Sequence, residues 1–168
     1  SLPDFRRWMR TKARVHGYEG GLRWSDLIAP IPQASTSISW DDGIAWVSLN
    51  RPGVRNAISN RIQAELHEVW HGFRYDDDVR CIVLTGEGDA FCTGIDRAEA
   101  VSEENNAAMA AGNFPDSPTP WMYDDPGRDV GPKTCDLWKP VIAAVHGMAC
   151  GGAFYLLGEV EFIIAADD

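Results

Sequence analysis

The sequence predicts one α/β domain over residues 37–168, preceded by a basic extension over residues 1–36. Three observations carry that reading. Short apolar runs at 44–50, 79–85 and 141–145 suit buried strands, and they alternate with segments of helical character. Such alternation favours an α/β domain with crossover connections. The stretch from Asn60 to about Arg74 sets Ile62, Leu66, Val69, Trp70 and Phe73 on one stripe at near 3.6-residue spacing. Two of the strands run into glycine-bearing turns, 86–96 and 147–152, and the second turn opens towards a helix. A chain of 168 residues can bury a real core, and its apolar fraction of 45% is ordinary for a globular protein.

The elements follow in order. Pro30, Pro32 and residues 33–37 read as a linker into the domain. Residues 38–40 and 44–50 pair as a hairpin around Asp41-Asp42-Gly43, because Asp-Gly favours a tight turn. Arg51-Pro52-Gly53 ends the second strand, and Ser59 is the N-cap expected for the helix 60–74. Asp76 to Asp78 form an acidic loop ahead of the strand 79–85, whose centre Cys81-Ile82-Val83-Leu84 is a buried run. Beyond the loop 86–96, residues 97–111 have a weak helical pattern, and residues 113–132 are rich in Pro, Gly and Asp, as a pocket-rim or surface loop would be. A short helix is expected near 133–138. Then come the strand 141–145, entered from Pro140, the turn with Gly147, Gly151 and Gly152, a helix from Ala153 to Leu157, and a last strand that closes in Ala165-Ala166-Asp167-Asp168. A glycine turn opening into a helix leaves backbone N–H groups unpaired, which suits either a phosphate or an oxyanion.

Composition excludes several functions. The net charge of −10 argues against nucleic acid as a partner. No run of about 18 apolar residues is present, so no membrane span is expected. The first residues hold no apolar signal region and the four cysteines show no CxxC or zinc spacing, so a reducing, cytoplasmic location with free thiols is the expectation. Charge is uneven: residues 1–36 carry six Lys/Arg against three Asp/Glu, among them Arg6, Arg7, Arg10, Lys12 and Arg14. That segment reads as a solvated terminal arm, or as one that docks on an acidic neighbour.

Motifs narrow the chemistry further. Gly86 and Gly88 begin a GxG, but Phe91 stands where a dinucleotide fingerprint needs its third glycine. There is no phosphate loop of GxxxxGK[ST] form and no GxSxG elbow. His67 and His71 share one helix face, but no third ligand lies near them in sequence, so no metal is expected.

Two glycine turns remain, one after each of two buried strands. The segments LNRPGVRNAIS (49–59), CIVLTGEGDAFCTGID (81–96) and KPVIAAVHGMACGG (139–152), with the continuation EFIIAADD, resemble the crotonase superfamily of enoyl-CoA hydratases and isomerases. They stand in that family's order and cover most of residues 37–168; the first 36 residues lie outside them. The resemblance implies a spiral of ββα units that binds an acyl-CoA thioester, with coenzyme A entering as part of the substrate and no permanently bound cofactor. It implies that two backbone N–H groups, those of Ile95 after Gly94 and of Gly152 after Gly151, clamp the thioester oxygen and stabilise an enolate. It places Arg55, Asn56 and Ala57 at the nucleotide end of the CoA, with Asp96 among the cofactor-facing residues; a plain surface role for Arg55 stands beside this. The reaction class is hydration, dehydration or double-bond isomerisation, with thioester or β-diketone hydrolysis, or a catalytically silent CoA-binding subunit, as alternatives.

The chain departs from the family pattern in one place that matters. Where the hydratases carry a catalytic glutamate stands Tyr155, and Ala153 replaces the third glycine of the triplet. Phenols are ordinarily protonated at neutral pH, so Tyr155 suits hydrogen-bond donation or the orienting of a water better than base catalysis. Glu159 lies one helical turn further on the same face, as a replacement acid or as a partner in a buried pair or subunit contact. The family's second acid falls beyond Asp168. The expectation is therefore an N-terminal part of a longer polypeptide, lacking the C-terminal trimerisation helices and completed as a homotrimer or hexamer with its C-terminal fragment. His146 reads as structural. Cys92 and Cys150 flank the glycine turns as small packing residues or candidate thiols, and Trp40, Trp121 and Trp138 are candidates for pocket lining or core.

Overall fold

The computed structural model describes residues 35–100 and 130–167, without the side chain of Trp40. The basic arm, the continuation of the 97–111 segment past residue 100, Trp121 and the rest of the loop up to residue 129 lie outside these residues.

Strands β1 (Thr36–Asp41) and β2 (Ile44–Leu49) form an antiparallel hairpin with Asp41 opposite Ile44. Its two central residues, Asp42 and Gly43, carry φ of 39° and 81°, the positive pair a type I′ turn needs. Helix α1 (Asn60–Arg74) starts where expected: the Ser59 hydroxyl accepts from the Ile62 N–H at 3.2 Å. All five residues of its predicted stripe are fully buried. Each such side chain contributes about 1.5–3 kcal/mol through burial. Glu65 is buried on the same helix and is satisfied by the Thr36 hydroxyl at 3.0 Å and Arg61 Nε at 2.7 Å, which ties α1 to β1.

The chain then repeats the plan. Strands β3 (Cys81–Gly86) and β4 (Ala90–Cys92) lead to helix α2 (Arg97–Ala100), and β5 (Val141–Val145) and β6 (Met148–Ala149) lead to α3 (Ala153–Leu157) and β7 (Phe162–Ala165). Two strands and a helix thus recur three times, as the ββα spiral requires. The large sheet has the order β1-β2-β3-β5-β7, and every neighbouring pair after the first hairpin is parallel. Strands β4 and β6 leave it and pair parallel in a two-stranded sheet of their own. One face of the large sheet, with Ala45, Val47, Leu49, Ile82, Leu84, Val141 and Ala143, joins the α1 stripe in a single core. On the other face, the register aligns Trp46, Val83, Ile142 and Phe162 in one row, and Phe162 at its end is 65% exposed.

Three expectations are corrected. The loop 86–96 contains β4, and the strand before it begins at Cys81 instead of Val79. Residues 133–138 are a set of turns, not a helix. One helical bond forms there, from Cys135 N–H to Gly131 O, but Asp136 takes the left-handed φ of 65°, and the bonds from Asp136 N–H to Lys133 O and from Leu137 N–H back to Pro132 O are those that end a helix. Trp138 is 74% exposed and belongs to no core.

Candidate active site

The site is built from two turns that the sheets press together. The first is the end of β4. Ile58 and Ile95 form an isolated parallel bridge: Ile58 N–H donates to Gly94 O at 2.7 Å, and Asp96 N–H donates to Ile58 O at 2.8 Å. In a parallel bridge the flanking groups of one strand are used, so Ile95's own N–H points away from Ile58. The second turn follows β6. Its position is set by the β4–β6 pairing and by Cys150 N–H, which donates to Cys92 O at 3.1 Å.

The turns touch through glycine backbone. A Cβ placed on Gly94 would lie 2.7 Å from Gly152 N and 2.9 Å from Cys150 O, and Gly94 has φ of +89°. A Cβ on Gly152 would lie 3.1 Å from Ile95 N. Gly151, between Cys150 and Gly152, has φ of +54°. The next N–H groups are used in the first turn of α3, where Ala153, Phe154 and Tyr155 donate to Cys150, Gly151 and Gly152 carbonyls, each at 3.1 Å. Among the described residues, neither Ile95 N–H nor Gly152 N–H has a hydrogen-bond partner. Gly152 is buried, and a buried N–H without a partner is uncommon enough to mark a place for an oxygen. The helix α3 has only five residues, so the donors themselves matter more than any dipole behind them.

The 51–58 loop braces the first turn. Thr93 N–H and hydroxyl both donate to Arg55 O, at 3.1 and 3.2 Å. Arg51 Nη1 donates to Ala57 O at 2.7 Å and pairs with Asp96 Oδ2 at 3.0 Å. The other Asp96 oxygen accepts from Glu99 N–H at 3.3 Å at the start of α2. Burial acts to raise the Asp96 pKa, but the Arg51 hydrogen bond, the Glu99 and Ala98 N–H groups and the Arg51 charge outweigh it, so the carboxyl sits below its usual range. Arg55 is exposed, in a left-handed conformation with φ of 49°.

The structure thus brings Gly94, Ile95, Gly151 and Gly152 together and sets Arg55, Ala57 and Asp96 on the loop and helix start beside them. Tyr155 follows on α3 and is 43% exposed. Glu159 is directed elsewhere: Oε2 accepts from Lys133 N–H at 2.7 Å and Thr134 N–H at 2.9 Å, and Oε1 accepts from the Thr134 hydroxyl at 2.6 Å. His146 Nε2 lies 3.0 Å from Gly88 O, consistent with its structural reading. The His67 and His71 rings lie with centroids 4.4 Å apart, tilted by 52°, burial and the neighbouring His67 lower the His71 pKa, and no cluster of three potential metal ligands exists among the described residues. Burial, with the Cys150 thiol adding and the Gly94 N–H opposing, pushes the Cys92 thiol up to about 11, so it stays protonated.

Sequence reasoning missed the side chain of Asn56, which is fully buried, and the bridging part of Ile58. A turn signal at Asn56 was available, since Asn tolerates left-handed φ; the direction of its side chain was not.

A family model described as enoyl-CoA hydratase/isomerase matches residues 39–168. The chain belongs to the enoyl-CoA hydratase/isomerase family. Among curated relatives, it is similar to an (E)-benzylidenesuccinyl-CoA hydratase of Thauera aromatica, 36% identical over 124 residues, covering 73% of this chain and 43% of that protein. It is also similar to an enoyl-CoA hydratase of Mycobacterium tuberculosis, 32% identical over 122 residues, covering 72% of this chain and 42% of that one. The chain therefore spans less than half the length of these relatives. A solved enoyl-CoA hydratase/isomerase from Mycobacterium paratuberculosis superposes with a TM-score of 0.62 at 30% identity, over 78% of this chain and 47% of that one. The ββα spiral is the crotonase fold of this family. No helix among the described residues is long and apolar enough to cross a membrane.

Proposed function

We propose that the family member described here binds the thioester carbonyl of an acyl-CoA between the N–H groups of Ile95 and Gly152, and acts in hydratase or isomerase chemistry at the carbon next to it. One observation carries this reading: two backbone donors without partners, Ile95 N–H and Gly152 N–H, lie on turns that meet at Gly94, where a side chain has no room. Loss of a proton beside a thioester moves negative charge onto the carbonyl oxygen. Fixed donors aimed at that oxygen lower the barrier by about 3 kcal/mol each. Backbone donors suit the task because they do not change protonation state. Arg55 and the Ala57 backbone are the proposed contacts for the nucleotide end of CoA, with Asp96 holding the adjoining helix start. Coenzyme A belongs to the substrate, and the enolate needs no resident cofactor. Tyr155 supplies a hydrogen bond or orients a water. The assembly proposed is a homotrimer or hexamer.

A second reading, a CoA-binding subunit without turnover, is favoured by the phenol at position 155 and by the occupied oxygens of Glu159. The deciding comparison is Gly152→Pro against Gly152→Ala, assayed on crotonyl-CoA. Gly152 has φ of −59°, which proline adopts, so the proline variant removes the donor while both variants add a Cβ at the same point. The proline variant is expected to lose a further factor of about 10²–10³ in turnover relative to alanine. Equal turnover in the two would refute the oxyanion assignment. Thioester binding without turnover in the unmutated chain would favour the silent subunit.

A further inference from the structure

We propose that Asn56 is a positioning residue for the oxygen-binding pair: its buried carboxamide holds the 51–58 loop where Ile58 fixes the direction of the Ile95 N–H. The purpose of that N–H rests on the reading under Proposed function; the positioning itself rests on geometry alone. Asn56 is fully buried and takes φ of 56°. Its Oδ1 accepts from Arg51 N–H at 2.8 Å, and its Nδ2 donates to Glu87 O at 2.9 Å and to Ala90 O at 2.8 Å. These partners belong to the start of the loop and to both ends of the turn that joins β3 to β4. One side chain therefore stitches the loop to the strand whose end becomes the site.

Backbone bonds complete the brace on either side of it. Arg55 O receives Thr93 N–H, and Ile58 takes up Gly94 O and Asp96 N–H. Asn56 lies between these two anchors, so a shift of the loop at this point moves Ile58 along Gly94 and turns the Ile95 peptide. The chemistry selects asparagine closely. Two donors and an acceptor are needed together, in a residue that tolerates left-handed φ. Aspartate has the same shape but offers no donor to the two carbonyl oxygens. A carboxamide with these three bonds, away from solvent, is not a contact for CoA.

The test uses the 168-residue chain with Asn56→Asp and Asn56→Gly; glycine removes the carboxamide without straining φ. Two measurements are made. Amide hydrogen exchange is followed at Ile58 and Asp96, with Leu66 and Val69 of α1 as the reference for global opening. The infrared carbonyl band of butyryl-CoA labelled with carbon-13 at the thioester is recorded free and bound, with binding of CoA itself as a control. Exchange at Ile58 and Asp96 is expected to rise about tenfold or more over the α1 reference. The bound carbonyl band is expected to return towards its free position while CoA binding is kept. Bridge amides and a bound band like those of the unmutated chain, in either folded variant, overturn the proposal. A uniform rise at the bridge and in α1 also overturns it, since Asn56 would then only stabilise the fold. A bridge that loosens in the variants, together with no band shift on binding in the unmutated chain, supports the positioning and sinks the oxyanion reading instead. Where Asn56→Asp does not fold, Asn56→Gly decides.

Discussion

Replacing Gly94 by alanine perturbs the site at the point where the turns meet, and two costs follow from the geometry. Gly94 has φ of +89°, which L-residues rarely adopt. Holding alanine there costs about 1–3 kcal/mol. The added methyl would also stand 2.7 Å from Gly152 N and 2.9 Å from Cys150 O, both backbone atoms that cannot rotate aside. The turns must separate by several tenths of an ångström, which moves one donor off the oxygen. A donor lost from such a pair costs about 10²–10³-fold in rate. A penalty of about 2 kcal/mol lowers the melting temperature of a chain this size by about 4–8 °C. Gly53→Ala is the control, because nothing lies within 4 Å of a Cβ at Gly53 and its φ is not positive. Thermal melting and crotonyl-CoA turnover are measured on both variants. The expected result is a lower melting temperature and a large loss of turnover for Gly94→Ala alone. A Gly94→Ala chain that melts and turns over like the Gly53→Ala chain would refute the contact between the turns.

Three other outcomes are expected. With the Cys92 thiol at about 11, only about 0.1% is thiolate at pH 8, so a disulfide reagent labels half-buried Cys150 well before Cys92; equal rates would contradict the burial of Cys92. Glu159→Ala leaves the Lys133 and Thr134 donors without their acceptor and costs about 1–3 kcal/mol by thermal melting, whereas Glu159→Gln keeps an acceptor and costs less; the reverse order would contradict the brace. Asp96 has a lowered pKa in the folded chain, so its contribution is present at neutral pH and lost as pH falls through the ordinary carboxylate range to the folded value. An Asp96→Asn chain is therefore expected to melt below the unmutated chain at pH 7, with the gap closing in acid; a gap that widens in acid would reverse the sign.

What was legible in the sequence was local. The α1 stripe, its Ser59 cap and the Asp42-Gly43 turn follow from periodicity and side-chain chemistry within a few residues. Strands β4 and β6 were not legible, because three and two residues are too few to show a period of two. Their existence depends on pairing with each other across more than fifty residues. The 133–138 segment looked helical because one helical bond does form there; its stop at Asp136 and its brace from Glu159 come from elsewhere in the chain. The two glycine turns follow from the residues and the family resemblance pairs them, but that they touch is a fact of tertiary structure. Asn56 shows the same boundary: its turn conformation is a local property, and the inward direction of its carboxamide is set by Glu87 and Ala90.

The open donors are what remains after the neighbouring backbone has been spent. The Ile58 bridge takes Gly94 O and Asp96 N–H, the β4–β6 contact takes Cys150 N–H, and the start of α3 takes the N–H groups of Ala153, Phe154 and Tyr155. Ile95 N–H and Gly152 N–H lie in the gaps of this accounting, so the same bonds that hold the turns also leave these two free. The Thr93 hydroxyl and the Cys150 thiol are themselves spent on the Arg55 and Thr93 carbonyls. The proposed clamp therefore depends on where glycine allows two backbones to approach, and not on the residue that follows at position 155. In the proposed function, this separates binding the thioester oxygen from moving a proton beside it. A tyrosine can stand at Tyr155 without disturbing the clamp, because its backbone N–H serves the α3 turn and its side chain takes no part in the contact between Gly94 and Gly152. The group that moves the proton can then differ while the fold keeps the two donors in place.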